Sequence, residues 1–360
     1  MEIRFVGSGD AFGSGGRFQT CIRLQEHGYT TLVDCGATSL TAMKAQDLEP
    51  GEVDAVVLSH LHGDHFGGLP FLVLDAQFTR RTKALTVLGP VGTTTRLHEA
   101  MEAFYPGSTS VQRRFDLNVI ELGGAGGSAG TGPLTVRSWE VDHASGAPAL
   151  AVRAQLGGAT FAYSGDTAWT PALITAAEGS DVFVCEAYTF DKAVRYHLDY
   201  RTLLEHVHEL TTNLLILTHM GPAMLTRLDE VEHTTAHDGL TLQTWRRRIT
   251  YSSKCTQPGH AGCATGELLA VTMPLPPWRP IVLFRFRRTQ GSSTDTRWSL
   301  RVGVEGVAPP RRDRRQSRNR TPWRWVSVAG STPLVRSSKK SSIPPGTAMM
   351  SLRAGPWTTS

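Results

Sequence analysis

Four side chains able to bind metal lie within six residues of this chain, in the segment His60-Leu61-His62-Gly63-Asp64-His65. The segment directly follows the apolar run Val53 to Leu58, which predicts a strand buried on both faces. Histidines two positions apart on extended chain project to the same side, so the first two can reach one cation. Gly63 lets the backbone turn, which directs the last two side chains toward a second position. The alternative is that this segment is a histidine-rich surface loop. The apolar run that directly precedes it favours a metal site instead.

Apolar periodicity over the first two thirds of the chain predicts strands that alternate with helices, which indicates a layered α/β domain. Strands are predicted at Glu2–Val6, Thr20–Leu24, Thr30–Asp34, Val53–Leu58, Leu85–Leu88, Leu134–Glu140, Ala149–Gln155, Thr160–Tyr163, Val182–Glu186 and Leu214–Thr218. Helices are predicted at Phe71–Phe78, Thr94–Phe104, Pro171–Ala177 and near Tyr200–Leu210. The glycine-rich run Gly123 to Gly132 predicts a flexible loop near the entrance of the site.

Charge divides the chain sharply. Residues 1–244 hold 16 Lys+Arg against 28 Asp+Glu, whereas residues 245–360 hold 21 against 4, so the formal charges are −12 and +17. The segment 243–360 is therefore predicted to be a basic, poorly ordered tail rich in arginine, proline and serine. Two interpretations stay open: a nucleic-acid-binding extension, or a read-through or frameshift product without selected function.

Composition also restricts the setting of the protein. The start of the chain lacks the basic and apolar regions of a signal peptide, and no apolar run has the length of a membrane span. The five cysteines are odd in number and lack framework spacing, which argues against a disulfide scaffold. We therefore expect a cytoplasmic protein that binds no membrane. The sequence leaves the oligomeric state open, with a homodimer among the alternatives.

The histidine-rich segment resembles the HxHxDH signature of the metallo-β-lactamase superfamily, and the further superfamily positions have matches in order. These matches are His143 after a strand, Asp166 in Ser164-Gly165-Asp166-Thr167, and His219 at the end of a strand. The resemblance covers residues 1–242, taken as the catalytic domain, and implies the four-layer αββα sandwich of that superfamily.

The resemblance also implies a ligand set for two divalent metal ions. It assigns His60, His62 and His143 to the first ion and Asp64, His65 and His219 to the second, with Asp166 between them. Histidine and carboxylate ligands without cysteine suit zinc, with manganese or iron as alternatives. Two such ions can lower the pKa of a shared water toward about 7, so the expected enzyme is a hydrolase that uses a hydroxide bound to both metals. Asp64 is a candidate to orient that nucleophile or accept its proton.

Other segments resemble ribonuclease Z and its phosphodiesterase relatives more than true β-lactamases. They are the opening Phe5-Val6-Gly7-Ser8-Gly9-Asp10-Ala11, the strand end Leu32-Val33-Asp34-Cys35-Gly36, and Cys185-Glu186-Ala187 followed by Tyr196-His197-Leu198-Asp199. By this resemblance His197 assists the departing oxygen and Glu186 orients His197. A structural histidine on a surface loop is the alternative for His197.

One departure from ribonuclease Z bears on the substrate. His143 and Asp166 lie only 23 positions apart, which leaves no room for the long tRNA-binding arm often inserted there. The acidic catalytic part also disfavours a polyanion on its own surface. A small phosphodiester is therefore preferred over tRNA, unless the basic tail grips RNA. A carboxylic substrate such as a lactone, thioester or β-lactam, and a non-catalytic metal-binding or nucleic-acid-binding role, remain alternatives.

Overall fold

Short apolar strands dominate the part of the chain that the computed structural model describes, namely residues 1–245, 248–253, 282–290, 296–304 and 324–330. The strands are β1 (Glu2–Gly7), β2 (Cys21–Glu26), β3 (Tyr29–Val33), β4 (Ala55–Val57), β5 (Leu85–Pro90), β6 (Leu117–Leu122), β7 (Ala125–Thr131), β8 (Leu134–Val141), β9 (Ala149–Leu156), β10 (Ala159–Tyr163), β11 (Val182–Glu186), β12 (Leu215–Thr218), β13 (Thr234–Thr235), β14 (Leu240–Trp245), β15 (Arg248–Ser253), β16 (Val282–Gln290), β17 (Thr296–Val304) and β18 (Arg324–Gly330). The helices are α1 (Ser39–Ala45), α2 (Gly63–Phe66), α3 (Leu69–Phe78), α4 (Thr93–Phe104), α5 (Ala172–Ala177), α6 (Tyr200–His206) and α7 (Pro222–Leu225).

Most of these strands form two mixed sheets. The first has the order β15-β14-β1-β2-β3-β4-β5-β6, antiparallel from β15 to β3 and parallel from β3 to β6. The second has the order β13-β12-β11-β10-β9-β8-β7, antiparallel from β7 to β10 and parallel from β10 to β13. In each sheet the parallel strands are connected through helices, as crossover connections require.

Three groups of buried side chains define the layers. One group, with Phe5, Val57, Val152 and Phe161, joins the inner faces of the two sheets. A second packs α1, α3 and α4 on the outer face of the first sheet. A third packs α5, α6 and α7 on the outer face of the second sheet. This arrangement confirms the predicted α/β class and the four-layer αββα sandwich.

Two local expectations need correction. The glycine-rich run Gly123 to Gly132 is not a flexible loop, because β7 occupies most of it and pairs antiparallel with β8 at the edge of the second sheet. Backbone hydrogen bonds suffice to hold an edge strand, even where side chains contribute little packing. The helix predicted near Tyr200–Leu210 is shorter, since α6 ends at His206 and a 3₁₀ turn, Val207–Glu209, follows it.

Most of the predicted basic tail lies outside the described residues. The strand β14 pairs with β1 and runs across the predicted domain boundary at residue 242. That boundary and the poor order of the tail stay predictions. The chain divides into a unit from Met1 to Pro274 and a second unit from Leu275 to Ser360, and in the second unit β16, β17 and β18 form an antiparallel sheet. Within the described ranges, no helix has both the length and the apolar character to cross a bilayer.

Candidate metal centre

The candidate site lies where several strands of both sheets end. His60 and His62 follow β4, and the short helix α2 carries Asp64 and His65. His143 follows β8, Asp166 follows β10 and His219 follows β12. Strands that run in the same direction end at the same edge of a sheet, so polar side chains that follow these strands lie close together. The structure thus brings the seven sequence-predicted ligands together at one edge of the sandwich.

Donor atoms of these residues form overlapping groups in which all atoms lie within 4.8 Å of one another. The groups are His60, His62 and His143; Asp64, His65, Asp166 and His219; and Asp166, Glu186, His197 and His219. The first two groups correspond to the two predicted ligand sets, and Asp166 belongs to both the second and the third group. The metal-binding role of each residue stays a prediction.

In the first group, hydrogen bonds outside the group fix which nitrogens face inward. The Nδ1–H of His143 donates to the carbonyl of Tyr196 at 2.9 Å, which leaves its Nε2 to face His62 Nδ1 at 3.1 Å. The Nε2 atom of His60 is buried and has no hydrogen-bond partner among the described residues. A buried nitrogen without a partner is costly in a finished structure unless another group satisfies it.

Asp34 and Ser59 support the site from behind. The backbone N–H and the hydroxyl of Ser59 donate to the Asp34 carboxylate at 2.7 and 2.8 Å, and His65 Nδ1–H donates to it at 2.7 Å. His60 Nδ1 lies 3.1 Å from the Ser59 hydroxyl oxygen, which can accept its proton. Both histidines are thereby held in the tautomer that presents Nε2 to the site, the usual task of outer partners of metal-ligating histidines.

In the second group, two imidazole nitrogens face two carboxylates at close range. The Oδ2 atom of Asp64 lies 3.1 Å from His65 Nε2 and 3.2 Å from His219 Nε2. The carboxylate of Asp166 lies 3.3 Å from each of the same nitrogens, through Oδ1 to His65 and Oδ2 to His219. The side chains of His65, Asp166 and His219 are at most 2% exposed. Such a buried cluster of negative groups strongly favours a positive charge at its centre.

The pKa shifts show this preference for positive charge. Burial opposes protonation of His65, but the carboxylates of Asp166, Asp64 and Asp34 outweigh it and raise its pKa well above the usual value. Burial acts in the same way on His219, and Asp166 and Asp64 raise its pKa to about 9. In contrast, burial and the nearby charge of His65 lower the pKa of His60 well below its usual value.

Glu186 and His197 form a pair beside the second group. Glu186 Oε2 accepts the Nδ1–H of His197 at 3.0 Å, and its Oε1 accepts the backbone N–H of Thr167. Burial, together with the charge of Asp166, raises the pKa of Glu186 to about 7. Burial disfavours protonation of His197, but the hydrogen bond to Glu186 outweighs it and raises the His197 pKa. His197 also lines a cleft of about 510 Å³.

The donor atoms and their surroundings have the features that a binding site for divalent metal ions requires. The site combines imidazole nitrogens and carboxylate oxygens, buries them, and leaves His60 Nε2 without another partner among the described residues. Outer hydrogen bonds already fix the tautomers of His60, His65 and His143 that such ions need. The described residues therefore fit divalent metal ions.

Three supporting groups escaped the sequence reasoning: Asp34, Ser59 and the carbonyl of Tyr196. Asp34 had a usable signal in the sequence, since an acidic residue directly follows an apolar strand. The structure adds that Asp34 has φ of 59°, a conformation rare outside glycine. Ser59 directly precedes the histidine-rich segment, and no sequence pattern marks it as a supporting residue. A backbone carbonyl carries no sequence signal at all.

Several known proteins are similar to this chain. Ribonuclease Z of Lachnoclostridium phytofermentans is 23% identical over 281 residues, which cover 64% of this chain and 90% of that protein. Ribonuclease Z of Bacillus cereus is 33% identical over 125 residues, which cover 34% of this chain and only 39% of that protein. The crystal structure of the short form of human tRNase Z covers 68% of this chain and 99% of that chain at 21% identity, with a TM-score of 0.56.

Fold, site and relatives together define the class of protein: a metal-dependent hydrolase of the metallo-β-lactamase superfamily, in its ribonuclease Z and phosphodiesterase branch. This confirms the predicted resemblance. The family described as anti-Pycsar protein Apyc1 matches residues 1–240. The chain belongs to that family.

Proposed function

We propose that this hydrolase is a phosphodiesterase acting on a small phosphodiester. The observation that carries the proposal is the placement of the hydrogen-bonded Glu186–His197 pair beside two groups of buried metal-ligand side chains. A phosphodiester needs charge stabilisation at its phosphoryl oxygens and a proton for the departing oxygen. The two neighbouring features meet these two needs.

We assign two metal positions, which we propose hold zinc. The residues that would hold the ions are His60, His62 and His143 on one side and Asp64, His65 and His219 on the other, with Asp166 shared. When bound, such ions supply an attacking water of lowered pKa and neutralise charge on the phosphoryl group.

The other steps belong to the side chains. Asp64 is proposed to orient the attacking water and accept its proton. His197 is proposed to donate a proton to the departing oxygen, with Glu186 holding its Nδ1 so that the opposite nitrogen faces outward. The raised pKa of His197 suits this role, because a larger fraction of the imidazole carries the proton near neutral pH.

A small diester is favoured over tRNA by the chain between His143 and Asp166. This segment contains only the hairpin of β9 and β10 and its short connections. Residues 1–244 also carry a formal charge of −12, which opposes binding of a long polyanion. The curated relatives named ribonuclease Z support RNA as the second substrate class.

The experiment compares four substrates on the purified chain: bis(p-nitrophenyl) phosphate, a 3′,5′-cyclic mononucleotide, pre-tRNA and a lactone. Wild type is expected to cleave the two small diesters fastest. His62→Ala should abolish this activity and lower the bound zinc measured by elemental analysis. His27→Ala is the control, since His27 is 83% exposed in a distant turn. Lactone cleavage without diester cleavage would establish the carboxylic alternative, and diester cleavage surviving His62→Ala would refute the site.

Further proposals concern the setting of the protein. The described cysteines Cys21, Cys35 and Cys185 are buried free thiols, which suits the proposed cytoplasmic location.

We also propose that the basic tail contacts nucleic acid and that the chain can form a homodimer. Truncation after Ser253 keeps β15 and tests the tail: pre-tRNA binding should weaken, and unchanged binding contradicts the proposal. Light scattering of the full chain tests the dimer.

A further inference from the structure

His219 is held in the candidate site differently from three of the other histidines. The ring Nδ1 atoms of His60, His65 and His143 each have a hydrogen-bond partner outside the donor groups. The Nδ1 atom of His219 has no such partner among the described residues, and Glu186 Oε2 lies 3.8 Å from it, beyond hydrogen-bond range. The orientation of the His219 imidazole therefore depends on the backbone that carries it.

The backbone at His219 is strained. Its φ is 55°, in the left-handed region that is unfavourable for a residue with a Cβ atom. Such a conformation persists only where surrounding contacts enforce it. The carbonyl of Ser8 provides these contacts, because it accepts the His219 N–H and the Thr218 hydroxyl, both at 3.3 Å. A shift of Ser8 would move the imidazole from its place 3.2 Å from Asp64 Oδ2 and 3.3 Å from Asp166 Oδ2.

Asp238 holds Ser8 in place. Its Oδ1 atom accepts the backbone N–H and the hydroxyl of Ser8, both at 2.9 Å, and its Oδ2 atom accepts the backbone N–H of Phe18 at 2.8 Å. Hydrogen bonds to an ionised carboxylate are stronger than neutral ones. The next residue, Gly239, donates its N–H to the carbonyl of Phe5 at 2.8 Å, which ties the Asp238 backbone to β1. Asp238 thus joins the turn after β1 to the strand end that carries His219.

We infer that Asp238 is a positioning residue for the second donor group and that it acts on His219 through the carbonyl of Ser8. The inference deepens the proposed function and rests on its metal centre. No described contact joins Asp238 to a donor atom of that group, so its effect passes through the backbone. Loss of this support should weaken metal binding at the second position and leave the first position unchanged.

The test measures zinc affinity at each metal position separately, by isothermal titration calorimetry of the metal-free chain. His62→Ala removes a ligand of the first group, so zinc binding to that variant reports the second group, and His65→Ala reports the first group in the same way. Asp238→Asn leaves one acceptor oxygen for three donors. Added to His62→Ala, it should weaken zinc binding about tenfold, the lower end for outer partners of ligating histidines. Added to His65→Ala, it should leave zinc affinity unchanged.

Asp181→Asn is the matched control. Asp181 also accepts a backbone N–H, that of Thr160 at 2.9 Å, and it precedes β11 at the end opposite to Glu186. Asp181→Asn should lower the Tm by a similar amount to Asp238→Asn and should change zinc affinity in neither background. This comparison separates a positioning role from a general loss of stability.

Ser8→Ala is a milder second variant, because it removes the hydroxyl bond to Asp238 and keeps the backbone bond. It should reproduce the selective loss of zinc affinity by a smaller factor. Equal weakening at both positions, or weakening at neither, would overturn the inference and leave the proposed metal centre standing. A wild-type chain that binds no zinc would overturn both.

Discussion

The two halves of the sandwich supply the candidate site in different ways. The N-terminal half, residues 1–122, contributes a contiguous segment that leaves β4 and enters α2. The C-terminal half, residues 125–235, contributes single residues that each follow a different strand, such as His143, Asp166 and His219. The first half also carries its own support in Asp34 and Ser59, whereas the second relies on the Tyr196 carbonyl and on Glu186. Ligands that lie in one short segment can be recognised from the sequence, whereas scattered ligands are brought together only by the whole fold.

The largest expected effect comes from Asp166, which the C-terminal half places between the donor groups. Asp166→Asn keeps the shape but removes the negative charge near His65 and His219. Phosphodiester hydrolysis should fall on the order of 10⁴-fold, as when one member of a cooperative catalytic group is lost. Steady-state rates with metal content measured in parallel would show this. A variant that retains full metal and most activity would mean that the dispersed residues are not essential.

The next effect concerns His197, and it should depend on the leaving group. His197→Ala should slow cleavage of a diester with an alkyl alcohol leaving group by about 10³-fold, the scale of general acid catalysis. Cleavage of bis(p-nitrophenyl) phosphate should change far less, because p-nitrophenolate departs without a proton. His208→Ala, a substitution beyond α6, is the control. Equal losses on both substrates would assign His197 a structural role.

A smaller effect is expected from the support of the N-terminal half. Asp34→Asn removes the negative charge and one of the two acceptor oxygens, so the side chain can no longer accept from His65 Nδ1, the Ser59 hydroxyl and the Ser59 backbone N–H together. Metal affinity should fall about 10- to 100-fold, as for other outer partners of ligating histidines. Activity should return when zinc is added in excess, as a metal titration of the rate would show. Failure of added metal to restore activity would indicate a misfolded site instead of weakened binding.

The smallest effect on activity is expected for two arginines, one in each half, that bind backbone carbonyls outside the candidate site. Arg81 donates to the carbonyls of Gly51, Val53, Lys83 and Ala84, and its side chain is nearly buried. Arg81→Lys should lower the free energy of unfolding by about 2 kcal/mol, because several buried carbonyls lose a charged donor. Arg153 donates to the carbonyls of Thr175 and Ala176 in a more exposed setting, so Arg153→Lys should cost less than about 1 kcal/mol. Urea unfolding measures both, and kcat should be unchanged in both variants.

Much of the fold could be predicted from hydrophobic patterns. The runs that became β4 and β11 are almost entirely apolar because both of their faces are covered, and that pattern is local. The edge strand β7 was taken for a loop because glycine contributes no side-chain pattern, and its pairing with β8 depends on the neighbouring strand. The short helix α1 and the strand β6 were missed, since their packing against the first sheet decides them more than their own sequences do.

The sequence by itself determined the class of chemistry, because four ligand-type side chains after a buried strand have few other uses, and the order of the remaining ligands matched a known pattern. Only the tertiary structure decided which nitrogen of each histidine faces the site, since that depends on Asp34, Ser59 and the Tyr196 carbonyl. It also decided that His197 belongs to a donor group and at the same time lines a neighbouring cleft. Hydrogen-bond partners and cleft walls come from residues far apart in the chain, so no local pattern can specify them.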